Sequence, residues 1–415
     1  MWSEWSQYAN GAFCSLPADQ QHDAVYAECT APVNIAVIKY WGKRDEDLIL
    51  PVNSSLSVTL DQADLCTRTL VVLSPHFESD GMWLNDKEAH DELAGSRLRA
   101  CIAAVRGRAD ARFSAYRIRV WTRNNFPTAA GLASSASGLA CFVYTLAKAL
   151  NVKEEFEGEL SSVARQGSGS ACRSWFGGFV KWEMGVKADG SDSVAVQVDP
   201  ETHWPEMRAI LLVASDKKKG TPSTSGMKTT VDTSPLLKYR ADVVVPERMR
   251  QMETAIHERD FETFAKLTMM DSNQFHAVCL DTYPPISYLN DTSRMIMALI
   301  HAYNAAVGET RVCYTYDAGP NAVLYLLEKD LNAVLSLIMY AYPPSEIPLE
   351  EYFPQRSFLE NIGLDSMDNI AAHTLPSAIV DKLPVQLRAR TTDALKYIMV
   401  TRAGPGPQTV VSSHQ

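Results

Sequence analysis

The segment after Phe126 is poor in side-chain bulk: Pro127-Thr128-Ala129-Ala130-Gly131-Leu132-Ala133-Ser134-Ser135-Ala136-Ser137-Gly138. Before it, residues 116–120 alternate as a half-exposed strand. After it, from about residue 131 to 150, apolar residues recur at helical spacing. A strand, a small-residue loop and a helix in succession limit the folds open to this chain. They also suggest a site, because the free N–H groups and the dipole at a helix start favour an anion such as phosphate. Ser134 and Ser135 add hydroxyls that can donate to a phosphate or reach a magnesium ion. No Lys-Ser or Lys-Thr follows the glycine, so this is not a Walker A loop. A plainer reading stays open, in which small residues let a helix start pack tightly on a sheet.

Around this segment the pattern alternates between strand and helix. Strand signals lie at 26–38, 56–60, 66–73 and 82–84, followed by a helical stretch at 96–105. Strands at 179–183 and 194–198 complete the first half, and 208–214 reads as a buried strand. Beyond it, 246–280 and 287–306 are long helical stretches, and strands at 312–316 and 322–327 flank a turn at 317–321. The expected class is α+β in two domains, 26–204 and 205–415, behind a loosely held arm at 1–25. With no flexible linker between them, the domains are expected to meet across a cleft, a favoured place for a ligand.

The 415 residues are 46% hydrophobic and carry a formal net charge of −10. An acidic balance argues against nucleic acid or an anionic membrane as the main partner. It leaves room for a small anionic substrate in a locally basic pocket. No apolar run approaches the roughly 20 residues that span a bilayer, and the opening residues do not read as a signal peptide. A cytoplasmic location is expected. The eight cysteines are scattered without metal or redox spacing and read as buried thiols. The nine histidines form no ligand pair, so a zinc site is not expected. Lys217-Lys218-Lys219 is too brief to be a basic patch.

Three further segments have chemical interest. Lys39 and Lys43 bracket Tyr40-Trp41-Gly42 at a strand end, where two ammonium groups beside open backbone suit a diphosphate; scattered surface lysines are the alternative. Residues 167–173, Gly-Ser-Gly-Ser-Ala-Cys-Arg, place small and hydroxyl side chains before Arg173. Its guanidinium suits the two-pronged recognition of a carboxylate. The alternative there is a tight turn with a surface arginine. Asp317, before Ala-Gly-Pro-Asn, can serve either chemistry or the turn itself.

Taken together, these segments resemble the GHMP kinase superfamily and, within it, the diphosphomevalonate decarboxylase family. The resemblance rests on Pro127-Thr128-Ala129-Ala130-Gly131-Leu132-Ala133-Ser134-Ser135-Ala136 and on Ala31-Pro32-Val33-Asn34-Ile35-Ala36-Val37-Ile38-Lys39-Tyr40-Trp41-Gly42-Lys43-Arg44. Gly167-Ser168-Gly169-Ser170-Ala171-Cys172-Arg173-Ser174, Tyr314-Thr315-Tyr316-Asp317-Ala318-Gly319-Pro320-Asn321-Ala322 and Gly404-Pro405-Gly406-Pro407-Gln408 extend it, in order, from about residue 26 to 408.

The resemblance implies a two-domain GHMP kinase-like fold, with an amino-terminal left-handed βαβ-type domain, a carboxy-terminal ferredoxin-like domain and a cleft between them. It implies ATP-dependent decarboxylation of (R)-5-diphosphomevalonate to isopentenyl diphosphate in the mevalonate pathway, with ATP and Mg2+ as cofactors and a homodimer as the assembly. Asp317, Arg173, Lys39 and Asn34 would be catalytic. Tyr40, Trp41, Gly42, Lys43, Arg97, Ser168, Gly169, Ser170, Ala171, Cys172, Arg173 and Thr224 would bind substrate. Ala129, Ala130, Gly131, Leu132, Ala133, Ser134 and Ser135 would bind ATP. Without the family, Arg97 reads as a solvated arginine and Thr224 as part of an ordinary helix start.

Two rivals remain at this level: a sister kinase that stops at the phosphorylated product, and a ligand sensor without turnover. The segments 40–43 and 167–173 weigh against the kinase. Retention of Asp317, Arg173 and Lys39 together weighs against the sensor. Two departures from the family pattern stand out, Arg123 where an acidic residue is expected and the long amino-terminal arm.

Overall fold

The structure, a computed structural model, describes residues 16–126, 134–217 and 220–414. The expected strand at 26–38 proves to be two strands in different sheets. β1 (Val25–Pro32) pairs with β6 (Cys66–Ser74), whereas β2 (Asn34–Ile38) pairs with β5 (Ser55–Thr59). The handover falls where Pro32 has no N–H to donate. The next residue, Val33, turns its carbonyl to Leu60 N at 2.8 Å. A continuous apolar alternation therefore hides a change of sheet.

The first sheet has the order β16-β1-β6-β9-β7-β8, with β7 at Gly81–Leu84, β8 at Lys87–Glu88, β9 at Arg117–Asn124 and β16 at Gln408–Ser412. The second runs β11-β10-β5-β2, with β10 at Phe179–Trp182 and β11 at Ala195–Asp199. The third runs β13-β14-β12-β15, built from β12 (Met207–Val213), β13 (Val312–Tyr316), β14 (Ala322–Leu327) and β15 (Tyr397–Arg402). A short pair, β3 (Lys43–Asp45) with β4 (Leu50–Pro51), borders the site. With the helices below, these sheets make the α+β architecture expected.

One core lies behind the first sheet. There α1 (Ser96–Arg106) and α2 (Ser134–Ala149) bury Leu98, Cys101, Cys141 and Leu146 against Val71, Leu73 and Val120. The larger core joins the two halves of the chain, because Ile35, Val58 and Phe179 pack together with Ile210, Phe264 and Tyr325. The last strand also crosses back. β16 pairs with β1, so residues 408–412 lie in the sheet of the first half although the sequence places them in the 205–415 segment.

Each long helix has a readable boundary. The expected 246–280 stretch divides into α4 (Val245–Glu258) and α5 (Phe261–Asp281). Arg259 takes a left-handed φ of 56°, and the Asp260 side chain caps α5 by accepting from Thr263 N at 3.1 Å. α6 (Asp291–Val307) begins with a reciprocal cap between Asn290 and Ser293. Between residues 342 and 396 the chain is a run of short helices, and Leu359, Leu364, Leu375 and Leu383 anchor them in the larger core. All cysteines among the described residues are free and buried, as expected.

Candidate active site

Where the second and third sheets meet, strand ends and helix starts enclose a cavity of about 910 Å³. Fourteen of the expected residues line it: Asn34, Lys39, Tyr40, Trp41, Lys43, Arg97, Ser134, Ser135, Ser168, Gly169, Ser170, Arg173, Thr224 and Asp317. Gly42, Ala171 and Cys172 do not line it. Ala129 to Ala133 lie outside the described residues. Four cations, Lys39, Lys43, Arg97 and Arg173, share the wall with the carboxylates of Asp317 and Glu92. On a chain of net charge −10, this is the locally basic pocket that an anionic ligand requires.

Lys39 follows β2, and Asp317 follows β13 from the other half of the chain. Lys39 Nζ donates to Asp317 Oδ1 at 2.6 Å and to Ala36 O at 2.8 Å. The lysine side chain is 3% exposed and the aspartate 33%, so the pair is buried on the lysine side and open to the cavity on the other. Burial pushes the Lys39 ammonium below the ordinary lysine value, and Asp317 opposes that shift. The turn carrying Asp317 is tied by Gly319 N to Asp317 O at 2.7 Å. Asn321 Oδ1 fixes its far end by accepting from Ala214 N and Ser215 N at 2.8 and 2.9 Å.

Arg173 lies in a 3-10 helix, Gly169–Trp175, and is buried. Nη1 donates to Ser55 Oγ at 2.6 Å, while Nε has no protein partner. A guanidinium half-used by the protein keeps donors for a ligand. Asn34 beside it donates to Ser170 O at 3.0 Å and Ser174 Oγ at 2.8 Å, leaving its buried Oδ1 unpartnered. Cys172 turns inward, its Sγ 3.0 Å from Gly169 O, which explains why it is not on the cavity wall.

The 40–43 segment divides its labour. Trp41 is an anchor, with Nε1 on Thr230 Oγ1 at 3.0 Å and its ring edge-on to Phe275 at 4.9 Å. Gly42 has φ of +93°, and a Cβ there would meet Val231, Leu237 and Val52 at 3.0–3.1 Å. It shapes the chain so that Lys39 and Lys43 both reach the cavity. Lys43 Nζ pairs with Glu46 at 2.5 Å. Across the mouth, Arg97 Nη2 donates to Thr224 Oγ1 at 3.3 Å, linking α1 to α3 (Ser223–Thr233).

Sequence reasoning missed the support behind Lys39. Asp271 Oδ1 on α5 accepts from Lys39 N at 2.8 Å. Its carboxylate is gripped by Arg240 at 2.7 and 2.8 Å and by Arg248 at 3.0 Å, with Asp271 and Arg240 fully buried. Burial alone would raise the Asp271 carboxyl, but the arginines hold it below its ordinary value. A signal for Asp271 was present, since it interrupts the apolar stripe of Phe264, Leu267, Phe275 and Val278, and a buried carboxylate demands a partner. Nothing in the sequence marks Arg240 as that partner.

Comparisons with known proteins match most of the chain. The family model described as diphosphomevalonate decarboxylase-like N-terminal domain matches residues 31–195. That of the mevalonate 5-diphosphate decarboxylase C-terminal domain matches residues 209–410. The diphosphomevalonate decarboxylase of Schizosaccharomyces pombe is 54% identical over 392 residues, covering 92% of this chain and 93% of that protein. The solved mevalonate diphosphate decarboxylase from Trypanosoma brucei is 36% identical with a TM-score of 0.83, covering 94% of this chain and 99% of that one. A solved complex of MDDEF with MVAPP, AMPPCP and magnesium is 30% identical with a TM-score of 0.70, over 93% of this chain and 99% of that one.

Proposed function

Because this chain belongs to the diphosphomevalonate decarboxylase family, we propose that the wall formed by Lys39, Arg173 and Asp317 carries its chemistry. The reaction is ATP-dependent decarboxylation of (R)-5-diphosphomevalonate, giving isopentenyl diphosphate, ADP, phosphate and carbon dioxide. Its difficulty is a tertiary hydroxyl, which is both a poor nucleophile and a poor leaving group. Transfer of a phosphoryl group to the hydroxyl makes it a leaving group. As phosphate departs, the electrons of the carbon–carboxylate bond form the alkene and carbon dioxide leaves.

The observation that carries this reading is the 2.6 Å Lys39–Asp317 pair facing a cavity that also holds Arg173. Asp317 orients the hydroxyl and takes its proton, late in a loose phosphoryl transition state. The Lys39 ammonium fixes the aspartate and places positive charge where negative charge collects during transfer. Arg173 holds the substrate carboxylate in line for elimination, and the unpartnered Oδ1 of Asn34 beside it is an acceptor for a substrate group. Lys43, Arg97 and the 168–173 turn hold the diphosphate.

Ser134 and Ser135, at the start of the long helix α2, hold the ATP phosphates together with residues 129–133. Magnesium fits this donor set, because the ion is commonly bound by few protein oxygens plus nucleotide phosphates. When bound there it offsets phosphate charge. The same reading includes a homodimer and a cytoplasmic location. No helix among the described residues is long and apolar enough to cross a membrane.

Replacing Asp317 tests the assignment. Asp317→Asn should lower kcat by about 10²–10⁴-fold with diphosphomevalonate affinity kept, as expected for loss of a proton acceptor. Near-normal turnover would remove Asp317 from the reaction.

A further inference from the structure

Two adjacent residues of α5 each accept a backbone N–H, one from Lys39 itself and one from the neighbour of Asp317. Asp271 Oδ1 accepts from Lys39 N at 2.8 Å, and Ser272 Oγ accepts from Tyr316 N, the residue before Asp317, at 3.0 Å. Neighbours on a helix diverge by about 100° around the axis, so their side chains reach different strands. Here the two strands are β2 and β13, and they meet where α5 lies across both. Asp271 is 0% exposed and Ser272 1%.

The grip on Lys39 extends around its whole peptide. Its carbonyl accepts from Asn53 Nδ2 at 3.1 Å and from Arg240 Nη2 at 3.3 Å, and Arg240 is the arginine that clasps Asp271. The hydrogen bonds go to backbone rather than to the lysine side chain. They therefore set where the strand ends without consuming the ammonium that faces Asp317. Stability alone does not require this arrangement, since well-packed apolar residues often serve a core as well as a buried ion cluster. A charge cluster aimed at the peptide of a catalytic lysine has a geometric use, and an error of about 1 Å at a reacting centre can cost on the order of 100-fold in rate.

We propose that Asp271 and Ser272 form a positioning unit that sets the distance between Lys39 and Asp317, with Arg240 and Arg248 holding Asp271 in place. The proposal rests on the roles given to Lys39 and Asp317 above. Neither α5 residue touches substrate; both act through the pair.

A double-mutant cycle tests it, with ADP formation followed in single turnovers and AMPPCP and diphosphomevalonate binding measured on every variant. Asp271→Asn should lower kcat by about 10–100-fold, and Ser272→Ala by about tenfold, with each KM changed less than about threefold. Added to Asp317→Asn, either change should cost little more, because the unit has nothing left to position. Losses that multiply with Asp317→Asn, or unchanged kcat in Ser272→Ala, would overturn the positioning unit and leave the site reading intact. If Asp271→Asn fails to fold, Ser272→Ala decides alone. An Asp317→Asn enzyme at full speed would instead overturn the site reading.

Discussion

At Arg173 the protein uses part of a guanidinium and leaves the rest. Ser55 takes Nη1 while Nε is unpartnered, so the side chain is held in direction with donors to spare. Lysine has one point charge and no fork. Arg173→Lys should therefore reduce kcat by about 10–100-fold with a smaller change in KM, read by steady-state kinetics. An unchanged kcat would take Arg173 out of the elimination step. Lys43 contrasts with it. Its ammonium already has the half-exposed Glu46 as a partner, so a diphosphate bound there would share the ammonium with that carboxylate or displace it. Lys43→Ala should raise KM for diphosphomevalonate by about tenfold or more and affect kcat less, since it removes binding shared by ground and transition states. At this scale most of the site was legible. Lys39, Lys43, Arg173 and Asp317 stood beside glycines and hydroxyls in segments with a chemical pattern. Trp41 and Cys172 were grouped with them through the family resemblance; Trp41 lines the cavity while its indole is anchored on Thr230, and the Cys172 thiol lies off the cavity wall against Gly169 O.

Helix α5 is the element whose role was least legible. Its amphipathic pattern announced a helix, but the polar residues on its buried face find their partners on other elements, as Asp271 does with Lys39, 232 residues away in sequence. Local periodicity cannot report such pairings. His276, one turn beyond Ser272, is another resident of that face. Burial first, and the nearby Lys39 second, lower its pKa to about 3, against Asp317 and a hydrogen bond to the Tyr316 backbone. The native ring thus stays neutral where the unfolded ring, with an ordinary value of 6.5, takes a proton. In that window the unfolded state binds more protons, so this contribution is present above about pH 6.5 and is lost as pH falls, by up to about 1.4 kcal/mol per unit. His276→Gln should show a loss of unfolding free energy between pH 7 and 5.5 smaller than wild type by about 1 kcal/mol, measured in urea. Equal losses would contradict a neutral buried His276.

Over the whole molecule, the sequence order conceals how the two halves are joined. The strand at 26–38 looked continuous, yet it serves two sheets. The tail looked like part of the second half, yet β16 pairs with β1. Periodicity defines which face of a strand is buried but not which sheet receives it. Removing residues 408–415 would strip β1 of one neighbour and expose its edge. With about 0.5–1.5 kcal/mol per lost hydrogen bond, Tm should fall by roughly 5 °C in a calorimetric scan while the cavity residues stay in place. An unchanged Tm would mean that β16 is not a stabilising strand. The cavity itself belongs to neither half, since Lys39 and Arg173 come from one and Asp317 from the other. The most direct test supplies diphosphomevalonate labelled at the carboxyl carbon and counts released carbon dioxide and ADP in the same sample. The account predicts one carbon dioxide per ADP. ADP without carbon dioxide would mean a kinase that stops at the phosphorylated intermediate, and the decarboxylation assigned to this cavity would be contradicted.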